Sequence, residues 1–131
     1  MRTIVVVDDS ATAISLYRMS AAGLDVDLRA FQTADEAIGY LNGNQPDLLF
    51  LDIVMPEKDG LTMLKELRAL PKHNDTPVIM VTSKDYHQDR AVARNLGVLD
   101  FLLKPLSTRE IRELIRRHTG AEARARTSAG Q

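Results

Sequence analysis

The stretch "LLFLDIVMPEKDG", residues 48–60, carries four apolar residues straight into a bare carboxylate. Leu48, Leu49, Phe50 and Leu51 read as a strand buried on both faces, since a half-exposed strand would alternate apolar with polar. Asp52 stands where that strand leaves the core. Ile53 and Val54 follow, then Met55-Pro56 and a turn closing on Asp59-Gly60. A charge there either marks the water boundary or is presented to something.

Outward from this strand, strands and helices alternate. Toward the N-terminus, residues 3–7 (TIVVV) form a β-branched run fit for a buried strand. Residues 11–22 carry Ile14, Tyr17 and Ala21 at helical spacing, with Gly23 as the stop. Residues 26–30 (VDLRA) alternate like an edge strand. Thr33 with Glu36 reads as a capping box, predicting a helix over 34–41 before "NGNQP" breaks it.

Toward the C-terminus, Leu61, Leu64 and Leu67 share a helix face, and Pro71 ends that helix. Residues 77–82 (PVIMVT) make another apolar strand, residues 89–96 a weaker helix stopped by Gly97, and residues 100–103 (DFLL) the last strand. Ser107 with Glu110 is a second capping box, opening a helix with Ile111, Leu114, Ile115 and His118 at helical spacing. Five βα units imply a parallel sheet with helices on both faces and right-handed crossovers.

The chain has 131 residues, 44% apolar and 27% charged, which fits one globular domain. Seventeen basic against 18 acidic residues leave a net charge of −1, so nothing biases the whole molecule toward nucleic acid or a membrane. Absence of cysteine excludes disulfides and thiolate metal sites and fits a reducing compartment. The apolar run at the N-terminus is too short for a signal peptide, and none approaches the ~20 residues that cross a bilayer. A soluble, cytoplasmic protein is the expectation.

Ligands of open α/β sheets sit at the carboxyl ends of the strands. There the first strand offers Asp8 and Asp9, the third Asp52, the fourth Thr82 and the fifth Lys104, followed by Pro105. Two carboxylates ~5 Å apart repel by about 3 kcal/mol at an effective dielectric near 20. Lys104 balances one charge. The remainder suits a hard dication, and the all-oxygen donor set points to Mg²⁺ rather than zinc. A carboxylate beside a dication, a lysine and a hydroxyl is equipped for phosphoryl transfer, with the central Asp52 as nucleophile and an aspartyl phosphate as product.

The ordered set "VVVDDS", "LLFLDIVMPEKDG", "VIMVTS" and "DFLLKP" resembles the receiver domain of bacterial response regulators, over residues 3–118. The resemblance implies a flavodoxin-like, doubly wound five-stranded parallel sheet of order 2-1-3-4-5 with five helices. It also implies phosphotransfer from a histidine kinase or a histidine phosphotransfer protein, in a chain that catalyses only its own phosphorylation and dephosphorylation.

By resemblance, Asp52 is the phosphoacceptor, and Asp8, Asp9, Asp52 and the Val54 backbone carbonyl hold Mg²⁺. Thr82 and Lys104 bind the phosphoryl group, Phe101 takes the aromatic switch position, and the Lys104–Pro105 peptide is cis. Val54 and Lys84 occupy the positions that tune dephosphorylation, and apolar Val54, unable to position a water, predicts a slow rate. Downstream contact would run through the last two helices and the fifth strand, with no direct nucleic-acid or membrane binding, in a monomer or a weak phosphorylation-dependent dimer.

Two rivals share parts of this pattern. A haloacid-dehalogenase-like phosphohydrolase also forms an aspartyl phosphate but needs a second Asp two residues on, where this chain has Val54 after Asp52 and Ser10 after Asp8. A degenerate receiver would lack an acid, the acceptor or the lysine, and all are present. His73, His87 and His118 are scattered and read as surface groups, His118 half-buried. The arginines of the last two helices (Arg90, Arg94, Arg109, Arg112, Arg116, Arg117) read as solvated faces open to an acidic partner. The domain is taken as residues 1–118, and 119–131 as a frayed or disordered tail. That tail is too short for an output domain, so the expectation is either a stand-alone regulator or the receiver fragment of a longer one.

Overall fold

Strand pairing in the computed structural model, which describes residues 1–124, follows the order β2-β1-β3-β4-β5. The strands are β1 (Arg2–Val7), β2 (Val26–Phe31), β3 (Leu48–Asp52), β4 (Val78–Thr82) and β5 (Asp100–Leu103). All four pairings are parallel. The helices are α1 (Ala11–Ala21), α2 (Ala34–Leu41), α3 (Gly60–Ala69), α4 (His87–Asn95) and α5 (Thr108–Thr119).

The uninterrupted apolar strands make sense once both faces are covered. Val5, Val7, Leu49, Leu51, Val78 and Met80 point to the side packed by α2, α3 and α4, against Ala37, Leu41, Met63, Leu64, Leu67 and Ala93. Their alternates Ile4, Val6, Leu48, Phe50, Ile79 and Val81 point to α1 and α5, meeting Tyr17, Ile111, Leu114 and Ile115. Every residue of β3 and β4 is buried. Period-two alternation places half of each apolar run on each side, so both cores form from the same strands.

The helix starts follow the local chemistry. Ser10 caps α1, accepting from the Ala13 amide at 3.2 Å, and Asp59 caps α3, accepting from Thr62 at 2.8 Å. The Ser107–Glu110 box is closed in both directions at 3.1 Å. The Thr33–Glu36 box is closed in one: Thr33 accepts the Glu36 amide at 3.2 Å, but the Glu36 carboxylate takes the Thr33 hydroxyl instead of its backbone amide. Helix α4 begins at His87, two residues before its expected start, and Tyr86 offers it no side-chain cap that would have marked the position in sequence.

Several expectations give way at the opposite end of the sheet. His73 is fully buried, not a surface group: its ring nitrogens meet Thr76 Oγ1 at 2.8 Å and the Leu41 carbonyl, at the C-terminus of α2, at 2.6 Å. Arg112 is not a solvated face residue, since it donates to the Ser20 and Ala22 carbonyls at the end of α1. Arg68 does the same for α4 through Leu96 and Gly97, and Arg2 for α5 through Thr119. Four helix C-termini thus receive nitrogen donors from other elements, where the exposed carbonyls and the negative end of the dipole favour them.

The chain beyond α5 also differs from a frayed end as far as Arg124. Gly120 turns with φ 72°, Ala121 is 1% exposed against the α1–α5 core, and Ala123 bridges Leu24. The Asp25 amide bonds the Glu122 carbonyl at 2.8 Å. The rest of the expected tail lies outside the described residues.

Replacing Ser107 by Ala removes one half of the closed capping box. We expect a loss of about 1 kcal/mol of unfolding free energy, read from urea titration.

Candidate functional site

Register decides which side chains meet. Val7 lies opposite Leu51, so Asp8 and Asp52 leave the sheet side by side; Thr82 lies opposite Leu103, so Lys104 follows beside it. Asp8, Asp9 and Asp52 each bring a carboxylate oxygen to within 4.8 Å of the others. Asp8 and Asp52 are buried, while Asp9 is exposed. Asp8 is fixed by its own sequence: its Oδ1 accepts the Ser10 amide at 2.9 Å, in the same turn that caps α1.

Lys104 reaches across β3 and β4. Its Nζ donates to Asp8 Oδ2 at 2.7 Å and stands 3.5 Å from Asp52 Oδ2. Its own amide bonds the Thr82 carbonyl at 2.8 Å, and the Lys104–Pro105 peptide is cis. Burial works against the ammonium, but the hydrogen bond to Asp8 and the fields of Asp52 and Asp8 outweigh it and raise its pKa. Asp52, 5% exposed, is pushed from the ordinary 3.8 up to about 6, first by burial, then by Asp8, with Lys104 pulling the other way. Three acids share one lysine, and the deficit appears on Asp52.

The loop after Asp52 folds tightly back on the end of β3. Gly60 packs so closely on the Asp52 carbonyl that any Cβ would collide with it, and its amide bonds the Ile53 carbonyl at 2.8 Å. Glu57 takes φ 69°, a left-handed conformation uncommon outside glycine. Lys58 holds this turn to its neighbours, 3.3 Å from Asp35 of α2 and 2.8 Å from Glu66 of α3. Val54 is exposed at the rim.

Thr82 is buried, and its hydroxyl accepts the Lys84 amide at 3.1 Å. The Lys84 side chain is exposed. Phe101 is buried among the residues facing α2, α3 and α4. The structure therefore gathers Asp8, Asp9, Asp52, Thr82 and Lys104 at one edge and sets Phe101 farther out, beneath α4.

Tyr17, a residue the sequence marks only as core by its spacing, lies under this edge. Its ring packs on Phe50 at 5.0 Å, and its phenol pKa is raised by burial and then by Asp8 and Asp52. Gly60 was legible only as a turn residue, because the clash it avoids involves backbone that sequence does not display.

An all-carboxylate donor set with a raised acid at its centre fits a hard dication: positive charge placed there relieves the repulsion among Asp8, Asp9 and Asp52.

Over residues 4–116 the chain matches the response regulator receiver domain family, and it belongs to that family. It is 37% identical over 111 residues to the cyclic di-GMP phosphodiesterase response regulator RpfG of Xanthomonas campestris pv. campestris. That match takes in 83% of this chain but 29% of the relative, so the chain spans less than a third of RpfG's length. Among solved structures, the receiver domain of Francisella response regulator 1452 superposes with a TM-score of 0.80 at 26% identity, covering 92% of this chain and 98% of that one. A CheY-like receiver domain protein of Methanospirillum hungatei gives 0.83 at 21% identity over 92% and 94%, a likeness of fold. The fold is flavodoxin-like, with strand order 2-1-3-4-5.

The raised Asp52 pKa has a sign that stability measurements can read. The folded protein holds this proton between 3.8 and about 6, where the unfolded chain releases it, so the contribution of Asp52 to stability is greatest on the acid side and falls as pH rises through that window. In chelator, Asp52→Asn should be more stable than wild type at pH 7.5 by about 1 to 2 kcal/mol, the gap closing toward pH 4. Urea unfolding across pH checks this.

Proposed function

We propose that this chain is a phosphoacceptor: Asp52 takes a phosphoryl group from a histidine kinase or a histidine phosphotransfer protein. The observation that carries the reading is the meeting of Asp8, Asp9 and Asp52 within 4.8 Å, with Lys104 between two of them. Asp8, Asp9, Asp52 and the Val54 backbone carbonyl would hold Mg²⁺, which when bound supplies charge neutralisation on the phosphoryl oxygens.

The chain's own groups do the rest. At neutral pH the Asp52 carboxylate, its pKa near 6, is mostly ionised and attacks phosphorus as the bond to the donor nitrogen breaks. Lys104 stands where an equatorial oxygen would otherwise face Asp8 unscreened. The Thr82 hydroxyl donates to another phosphoryl oxygen once transfer is complete.

A phosphoryl group adds about −1.5 to −2 charge at neutral pH, judged from other phosphoesters. Thr82 and its loop are drawn toward it, the buried position of Phe101 is favoured, and the surface of α4, β5 and α5 changes as a shift between two packings. That surface, rich in arginine, is the proposed contact for a downstream protein. The same reading has the chain acting in the cytoplasm, as a monomer or weak phosphorylation-dependent dimer, apart from nucleic acid and membrane; among the described residues no helix is long and apolar enough to cross a bilayer. Val54 stands where a hydrolase of the dehalogenase type needs its second acid, which favours signalling over turnover.

Mass spectrometry after acetyl phosphate and Mg²⁺ should find one phosphate on wild type and none on Asp52→Ala. The phosphorylated wild type should lose phosphate slowly, and Val54→Asn should shorten its lifetime severalfold. A fast loss unchanged by that substitution contradicts the assignment of Val54.

A further inference from the structure

Phe101 has no hydroxyl, so packing and charge alone decide where its ring rests. The ring is 7% exposed, and the Arg90 guanidinium lies over its face, 4.7 Å from the centroid. That guanidinium is itself clamped. Nε donates to Asp85 Oδ1 at 3.2 Å and Nη2 to Asp85 Oδ2 at 2.7 Å, the two-pronged geometry only an arginine offers. Asp85 belongs to the β4–α4 loop, where the Lys84 amide donates to the Thr82 hydroxyl. One side chain therefore joins the ring on β5 to the loop that begins at Thr82.

We propose that Arg90 is a latch on Phe101: clamped by Asp85, it keeps the ring buried and thereby sets how readily the acidic site accepts a phosphoryl group. The second half rests on the reading of Asp52 given above. If phosphorylation favours the buried ring, a ring already buried without phosphate lowers the free energy the phosphoryl group must supply. Arg90 is then a positioning residue, acting on the site through Phe101 and the loop.

The strength of the latch suits a switch. Arg90 and Asp85 side chains are 37% and 36% exposed, so the pair is solvent-screened and reversible. Asp100, the other acid near Arg90, accepts the Phe101 amide at 2.9 Å and so is engaged with its own strand. A cavity of about 290 Å³ bounded by Arg90, Arg94, Leu99 and Phe101 gives the ring and guanidinium room to move apart.

The chain has three phenylalanines, so labelling with 4-fluorophenylalanine gives three fluorine resonances, that of Phe101 assigned with Phe101→Leu. In Arg90→Met the Phe101 resonance should shift and broaden while those of Phe31 and Phe50 stay. Asp85→Asn should do the same with α4 untouched, Arg90→Lys should fall between, and the double variant should go no further than either single one. With Mg²⁺ and beryllofluoride as the phosphoryl mimic, affinity should fall about threefold in Arg90→Met and Asp85→Asn.

A Phe101 resonance that coincides with wild type in both variants overturns the latch, as does an unchanged or improved beryllofluoride affinity. Wild-type protein that takes up no beryllofluoride overturns the reading of Asp52 and with it the affinity half of the proposal. The Phe101 resonance reads the other half independently.

Discussion

One ammonium answers two buried carboxylates, and a third acid stands beside them. Lys104 bonds Asp8 at 2.7 Å and reaches Asp52 at 3.5 Å, so the acid at the end of the central strand is left incompletely balanced. At an effective dielectric near 20, each carboxylate pair at such spacing carries about 3 kcal/mol of repulsion. A fold selected for stability alone would relieve this with an asparagine. Here the sheet's parallel register forces the acids together, both faces are covered, and the tension is concentrated on Asp52. The fold is what raises the pKa of that carboxylate while holding it at the edge of the sheet.

Much of this is legible in the sequence. Period-two runs, capping residues and the glycine stops mark the five strands and five α-helices to within two residues, though not the short 3₁₀ turn at Pro71–His73. Each signal is local: a cap is made by a side chain three residues from its amide. The meeting of Asp8, Asp9, Asp52, Thr82 and Lys104 at one edge is legible for a related reason. Strand ends are visible in sequence, and a parallel sheet carries them all to one edge.

What was hidden depends on partners distant in sequence. His73 looked like a polar residue in a loop, and nothing local shows that its ring spans Thr76 and the end of α2. Arg112 belonged to a run of arginines that read as solvated, yet it closes α1. Ala121 carries no pattern at all, and only the groove between α1 and α5 explains its burial. Gly60 was seen as a turn, whereas its need to be glycine comes from the Asp52 carbonyl pressed against it.

The donors that close the helix C-termini have a consequence of their own. Arg2 serves Thr119 across 117 residues of chain, Arg112 serves Ala22 across 90, His73 serves Leu41 across 32 and Arg68 serves Leu96 across 28. Four of the five helices draw a C-terminal donor from another element, α3 closing locally through the Leu70 amide on the Leu67 carbonyl, so cooperativity is wired through the floor of the sheet. Loss of one strut loosens two elements at once, which disfavours half-assembled forms. The rim opposite, bearing the acids, is tied instead by one ammonium, so a change of charge there acts on the Lys104 bond before it reaches these struts.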